Sequence, residues 1–197
     1  DAVTNVGLVP VVLEWNKLLL STDRFNCLSD AMHGFDMVML MNVTHIFEET
    51  CVGGAEMVQL LIARLGEKHP NDSCCCRSEC RLYRPLMIQY KKTRNTALLS
   101  HLTGTLEALD VWAVAHHEFG NFVIQAFIHE LLDVEECSAV YKIVDHFAGD
   151  VGKWAESTWA RHCAHEIIKT LPKTTSQWKA ICDVWEHHIE DQHLRKA

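Results

Sequence analysis

The sequence feature that most constrains the fold is an internal repeat of about forty residues in the second half of the chain. Residues 108–132 align with residues 148–172, and each segment is followed by one more helical pattern. A three-helix unit of this size cannot bury its own apolar face, so neighbouring units are expected to stack. The identical pairs are Ala108/Ala148, Asp110/Asp150, Val111/Val151, Ala115/Ala155, Ile128/Ile168 and Leu131/Leu171.

Apolar residues recur at helical spacing in almost every segment, and strict alternation is rare, so the sequence predicts an all-α fold. We expect one helical-repeat domain over residues 1–197 with about four units. The predicted units are a degenerate repeat at 1–53, a weaker repeat with a Cys-rich segment at 54–103, the clearest repeat at 104–147, and a second clear repeat with a C-terminal helix at 148–197. An irregular α-bundle with a coincidental internal similarity is the alternative.

Composition and charge limit the classes of ligand. Of the 197 residues, 48% are hydrophobic and 22% charged, which is typical of a folded globular protein. The net charge of -8 argues against a general attraction to phosphate, so any nucleic-acid contact must be local. The 13 His residues can add positive charge at such a contact, because a His side chain can become protonated beside a phosphate. Because the first residue is Asp1 rather than Met, we expect the chain to be a piece of a longer array.

Nine cysteines, four of them clustered at Cys74, Cys75, Cys76 and Cys80, do not follow a disulfide framework. We therefore expect an intracellular, reducing compartment, either the cytoplasm or the nucleus with its nucleolus. Cys76 and Cys80 could form one pair of zinc ligands, and His69 lies nearby in the sequence. Zinc normally requires a second pair farther along the chain, and none follows, so we predict no metal. No apolar run is long enough to cross a membrane.

The most informative motif is EFGNFVIQAFIHEL at residues 118–131. Asn121 and Gln125 lie four residues apart, so they share one face of a helix, and two carboxamides there offer donors and acceptors to a base edge. Phe122 beside them offers a ring on which a base can stack. The structural alternative is that Asn121 bonds locally, Gln125 is a solvated surface residue and Phe122 belongs to the core.

Within its forty-residue unit this motif resembles the second helix of a Pumilio (PUF) repeat, and the resemblance is clearest over residues 104–193. It implies a right-handed α-solenoid of three-helix repeats that binds single-stranded RNA. In that family the positions of Asn121 and Gln125 read one base edge, and this pair selects uracil. The position of Phe122 stacks on a neighbouring base. The resemblance implies neither a cofactor nor DNA as a ligand.

The following repeat places Arg161, His162 and His165 at the equivalent positions. This set departs from the family's common triplets, so the resemblance assigns no base to it. His162 can stack, and Arg161 can meet a base or a phosphate. The alternative is that all three are ordinary polar residues on an exposed helical face.

In the first half of the chain the match to the family is weaker. The equivalents are Cys27, Leu28 and Ala31 in the first unit and Cys75, Cys76 and Glu79 in the second. The first set lacks hydrogen-bonding groups for a base edge, whereas a small residue paired with Glu favours guanine in the family.

Two classes of function follow from these observations. The first is a Pumilio-like protein that binds single-stranded RNA within a ribonucleoprotein or ribosome-assembly complex. The second is a helical-repeat scaffold that makes protein contacts in a large assembly without base-specific recognition, which the net charge favours. We expect no enzymatic activity, because no nucleophile motif, glycine-rich phosphate loop or paired-carboxylate signature is present.

Overall fold

The computed structural model of the protein describes residues 59, 61–63, 65–77 and 79–194, with the side chains of residues 187–194 left out. The chain divides into two compact units, Asp1–Glu67 and Lys68–Ala197. Over the described residues the structure is helical and has no strands, which confirms the all-α prediction. The predicted degenerate repeat at 1–53, with Cys27, Leu28 and Ala31, lies outside the described residues. None of the described helices is both long and apolar enough to span a bilayer.

The second unit contains nine α-helices and one 3-10 helix whose bounds are described. They follow one another with short connections, as expected for stacked helical units. Their bounds are α1 (Pro70–Cys75), α2 (Cys80–Thr93), α3 (Thr96–Ala108), α4 (Val111–Ala115), α5 (Gly120–Leu131), the 3-10 helix (Glu135–Val140), α6 (Tyr141–Gly149), α7 (Val151–Ala155), α8 (Ala160–Thr170) and α9 (Ser176–Leu194).

The helices recur in one order: a short first helix, a longer second helix and a third helix. The short helices are α1, α4 and α7, and the second helices α2, α5 and α8 begin at Cys80, Gly120 and Ala160, forty residues apart. The third position is taken by α3, by the 3-10 helix with α6, and by α9. The element order therefore repeats at the spacing seen in the sequence and includes one more unit than the clearest sequence match.

The second helices pack side by side, with α5 between α2 and α8. In this layer Phe127 of α5 is fully buried, and its ring lies 6.3 Å from that of Tyr83 on α2. Burying one such side chain stabilises the fold by about 1.5–3 kcal/mol. The third helices also meet, α3 against the 3-10 helix and α6 against α9. Each unit thus covers the apolar face of its neighbour.

Local signals set several helix boundaries. Asn95 caps α3 by accepting a hydrogen bond from Leu98 N at 3.1 Å, and Asp110 caps α4 through Ala113 N at 3.0 Å. The last turn of α2 ends at Arg94, which adopts a left-handed conformation with φ of 51°.

Candidate nucleic-acid interface

The exposed edges of the second helices carry four of the residues that the sequence singled out, Phe122, Gln125, His162 and His165. On each helix these side chains are separated by three or four residues, so they share one edge. We call this surface the second-helix face. It consists of Arg81, Arg84 and Ile88 on α2, Phe122, Gln125 and His129 on α5, and His162, His165 and Lys169 on α8, all exposed or half-exposed.

A chain of polar contacts crosses the three second helices and shows that their edges adjoin. Arg84 Nε on α2 donates to Glu130 Oε1 on α5 at 2.9 Å. His129 Nδ1, next to Glu130 on α5, lies 2.9 Å from Glu166 Oε1 on α8, and Lys169 Nζ lies 3.7 Å from the other oxygen of Glu166. Such partly solvated pairs each contribute at most about 1 kcal/mol to stability, so they matter here because they show which helix edges are neighbours.

Phe122 is the most exposed large apolar side chain on this face, with 59% of its surface accessible. It lies on the outer edge of α5, whereas Val123 and Ile124, which follow it, are fully buried. The start of α5 is held tightly against α4, because a Cβ on Gly120 would lie 2.5 Å from the carbonyl oxygen of Val114. The ring is therefore presented from a firmly packed turn of helix.

Asn121 differs from the sequence expectation of an open base-reading amide, because its side chain is fully buried. Its Nδ2 donates to the carbonyl oxygens of His117 and Glu118, both at 2.9 Å, and its Oδ1 accepts from Gln125 Nε2 at 2.8 Å. From α8, the Cys163 thiol donates to the Asn121 carbonyl at 3.5 Å. The local bonding that the sequence left as an alternative is what the structure shows for Asn121.

These contacts also fix how Gln125 is oriented. Two carbonyl oxygens can only accept, so the amino group of Asn121 must point toward them, and its oxygen is left facing Gln125. Gln125 then has to present its amino group to that oxygen. One N–H and the carbonyl oxygen of the half-exposed Gln125 side chain remain available on the surface.

On α8 the structure places the three predicted residues in different settings. Arg161 is half-buried, and its Nε donates to the carbonyl of Ser157 at 3.1 Å, whereas His162 is exposed. The ring of His165 stacks on Trp185 of α9, with centroids 5.3 Å apart and planes 10° apart. Burial, followed by the nearby charge of Lys169, lowers the pKa of His165. His162 and His165 thus lie on the face, and Arg161 lies at its edge.

The residues that sequence reasoning assigned to the preceding unit do not occupy its second helix. Cys75 ends the short helix α1, and Cys76 and Glu79 precede α2, which begins only at Cys80. The alignment was wrong by several residues because four cysteines in seven positions obscure the helix start. The side chains on the face are Arg81 and Arg84. The sequence analysis missed them, and the cluster of basic residues over 77–94 is the signal that could have found them.

The cysteine cluster has the properties of packed thiols. Burial raises the pKa of Cys74 to about 12, and burial also raises the pKa values of Cys75 and Cys80. Over the part of the chain that the structure describes, no three metal-binding side chains converge.

Comparisons of the chain with protein-family models, with curated proteins and with solved structures gave no match.

Proposed function

We propose that this chain is a divergent Pumilio-like helical-repeat protein that binds single-stranded RNA on the second-helix face. The observation that carries the proposal is Phe122, an apolar ring with 59% of its surface exposed, next to the surface amide of Gln125. A ring and an amide that are held by neighbouring contacts match the flat surface and polar edge of an unpaired base.

The order of the helices supports a solenoid of such repeats. Three consecutive units have the same sequence of short, long and third helices, and their second helices form one layer. In this arrangement the second-helix face is continuous across all three units. A flexible strand lying along it meets Phe122 on α5 and then His162 and His165 on α8.

Charge on the second helices also favours a polyanion. Among the described residues the only acidic side chains on these helices are Glu130 and Glu166, and both are largely shielded and contact basic or histidine side chains of the same layer. The face is thus locally basic in a protein whose net charge is -8. Because the protein as a whole is negatively charged, RNA binding requires a local basic surface of this kind.

We propose that base selection at α5 is weak rather than specific for uracil. The preference of the family pair requires both side chains, and the hydrogen-bonding groups of Asn121 are already used within the protein. The amide of Gln125 alone offers one donor next to one acceptor, a pattern that the pairing edge of every base can complement. Stacking on Phe122 is equally tolerant of sequence.

The test compares Phe122→Ala with Tyr141→Ala, which removes another exposed aromatic ring, from α6 outside the second-helix face. Binding of labelled oligonucleotides of uridine, adenosine and cytidine is measured by fluorescence anisotropy. Phe122→Ala should weaken binding to all of them by about 1–3 kcal/mol, which is roughly 5- to 150-fold. Gln125→Ala should cost about 0.5–1.5 kcal/mol, also for every base. Tyr141→Ala should bind as the wild type does.

Two outcomes count against the proposal. Equal losses for Phe122→Ala and Tyr141→Ala would place RNA elsewhere on the molecule. No RNA binding by the wild-type chain would favour the scaffold function, with the exposed Phe122 ring as a protein contact. Thermal unfolding of each variant verifies that the substituted chains remain folded.

A further inference from the structure

Three aromatic rings form a continuous stack beside α8, and each ring comes from a different helix. The indole of Trp154 on α7 is fully buried, and its Nε1 donates to the carbonyl oxygen of Phe147 at 3.0 Å. The ring of Trp185 on α9 stacks on Trp154, with centroids 6.2 Å apart and planes 27° apart. The imidazole of His165 on α8 stacks in turn on Trp185, at 5.3 Å and 10°. The stack therefore leads from the core to the second-helix face.

Exposure to solvent increases along this stack. Trp154 is fully buried, Trp185 is half-buried and His165 is exposed. Because Trp185 covers one face of the imidazole, the exposed surface of the His165 ring is its opposite face and its edge. An exposed side chain without such a contact samples several rotamers, and ordering it on binding costs free energy. The stack on Trp185 holds the imidazole in one orientation before any ligand arrives.

The imidazole of His165 has the character of a flat aromatic surface rather than a cation. Its pKa is lowered from the usual value of 6.5, first by burial and then by the nearby charge of Lys169. The ring is therefore mainly uncharged at neutral pH. Histidine is one of the side chains on which unpaired bases stack.

His165 takes the place on α8 that Gln125 takes on α5, forty residues earlier. On α5 the Oδ1 of Asn121 holds the amide of Gln125 at 2.8 Å. On α8 the support comes from the Trp185 ring of another helix. The position that offers an amide in one unit thus offers an aromatic surface in the next.

This aromatic surface lies within reach of a strand that contacts Phe122. Helices α5 and α8 pack side by side, and their exposed edges meet where His129 Nδ1 lies 2.9 Å from Glu166 Oε1. The axes of packed helices are about 8–10 Å apart, so Phe122 and His165 are separated by roughly one helix diameter across the second-helix face.

We infer that His165 is a second base-stacking platform for the RNA strand that stacks on Phe122, and that Trp185 is the residue that positions its ring. This inference rests on the proposed function. It changes the role of His165 from reading a base edge to stacking on a base. It also adds to the site a residue of α9 that does not contact the RNA itself.

The test compares His165→Ala, Trp185→Leu and Trp185→Phe in the wild-type chain. The matched control is Trp178→Leu, because Trp178 is also a half-buried indole of α9 that contacts α8, through its Nε1 and the carbonyl of Ile168 at 3.0 Å. Affinities for labelled oligouridine and oligoadenosine are measured by fluorescence anisotropy at several salt concentrations. Urea unfolding measures how much each substitution destabilises the fold.

His165→Ala should weaken binding to both oligonucleotides at least about fivefold, the lower limit for loss of one stacked base. The slope of log K against log salt should stay unchanged, because stacking releases no counterions from phosphate. Trp185→Leu should weaken binding by about 2- to 13-fold, the cost of ordering one free side chain. Trp185→Phe keeps a ring behind the imidazole and should bind within about twofold of wild type.

Two further measurements distinguish positioning from a general structural role. In the His165→Ala background, Trp185→Leu should cause no additional loss of affinity, since it acts only through the imidazole. In the nuclear magnetic resonance spectrum the ring protons of His165 should lose their upfield shift in Trp185→Leu and keep it in Trp178→Leu. The control should bind RNA as wild type does, even where it lowers the unfolding midpoint.

Equal losses of affinity in Trp185→Leu and Trp178→Leu would overturn the inference, because destabilised packing of α9 would explain both. Additive losses in the double variant would overturn the positioning role and make Trp185 a direct contact. A smaller salt slope in His165→Ala would mean a phosphate contact rather than a stacked base. If Phe122→Ala weakens binding and His165→Ala does not, the second platform fails while the proposed function stands. If wild type binds no RNA, both fail.

Discussion

Replacing Asn121 by alanine tests whether this side chain supports the fold or reads a base. The substitution removes three hydrogen bonds made by a fully buried side chain, two to the carbonyls of His117 and Glu118 and one from Gln125. Because all three lie inside the protein, we expect the main effect of Asn121→Ala on the free energy of unfolding.

The magnitude follows from those contacts. Each hydrogen bond contributes about 0.5–1.5 kcal/mol net, so the loss of all three costs roughly 1.5–4.5 kcal/mol. Alanine favours a helix over asparagine by about 0.5 kcal/mol. The carbonyl of His117 also keeps the backbone N–H of Asn121 as a donor, at 3.1 Å. We therefore expect Asn121→Ala to destabilise the protein by about 1–3 kcal/mol.

Urea unfolding followed by far-ultraviolet circular dichroism measures this change. Gln125→Ala is the matched comparison, because it breaks one of the same bonds from a half-exposed position and should cost less than about 1 kcal/mol. The double variant should show a coupling of about 0.5–1.5 kcal/mol. Asn121→Asp should be worse than Asn121→Ala, since it turns an oxygen toward two carbonyls.

Asn121→Ala with wild-type stability and weakened binding only to uracil-containing RNA would refute this reasoning. That pair of results would mean that the side chain reads a base after all.

Two further predictions concern stability. Gly120→Ala should destabilise the fold by about 1–3 kcal/mol, because its Cβ would meet Val114 O at 2.5 Å. Gly104→Ala in α3, where nothing lies within 4 Å, should instead stabilise the fold by about 0.5–1 kcal/mol. The reverse order of unfolding midpoints would contradict the packing described here. Burial lowers the pKa values of His101 and His165 below 6.5, so folding disfavours their protonated forms. The stability that these groups contribute is present above their unfolded pKa and is lost as pH falls from about 7 toward 5. His101→Gln should make the urea midpoint less sensitive to acid. An unchanged pH dependence in this variant would show that His101 is not the origin of the acid sensitivity.

The candidate site was only partly accessible from the sequence. The motif at α5 predicted a surface ring at Phe122, and the structure exposes this ring while Val123 and Ile124, which follow it, are buried. The same motif placed Asn121 on the surface, because helical spacing assigns a face only to within about one residue. Whether a residue at the edge of that face is covered depends on the neighbouring helix.

The amino-acid sequence by itself determined the helical class and the forty-residue order of short, long and third helices, because apolar spacing and caps such as Asp110 act over a few residues. Tertiary packing decided that α2 continues through Pro85 as a second helix, and that Asn121 lies beneath the contact between α5 and α8. It also decided that Arg84 meets Glu130 forty-six positions away. These properties depend on which helices become neighbours, and that follows from burying the apolar faces of successive units against one another.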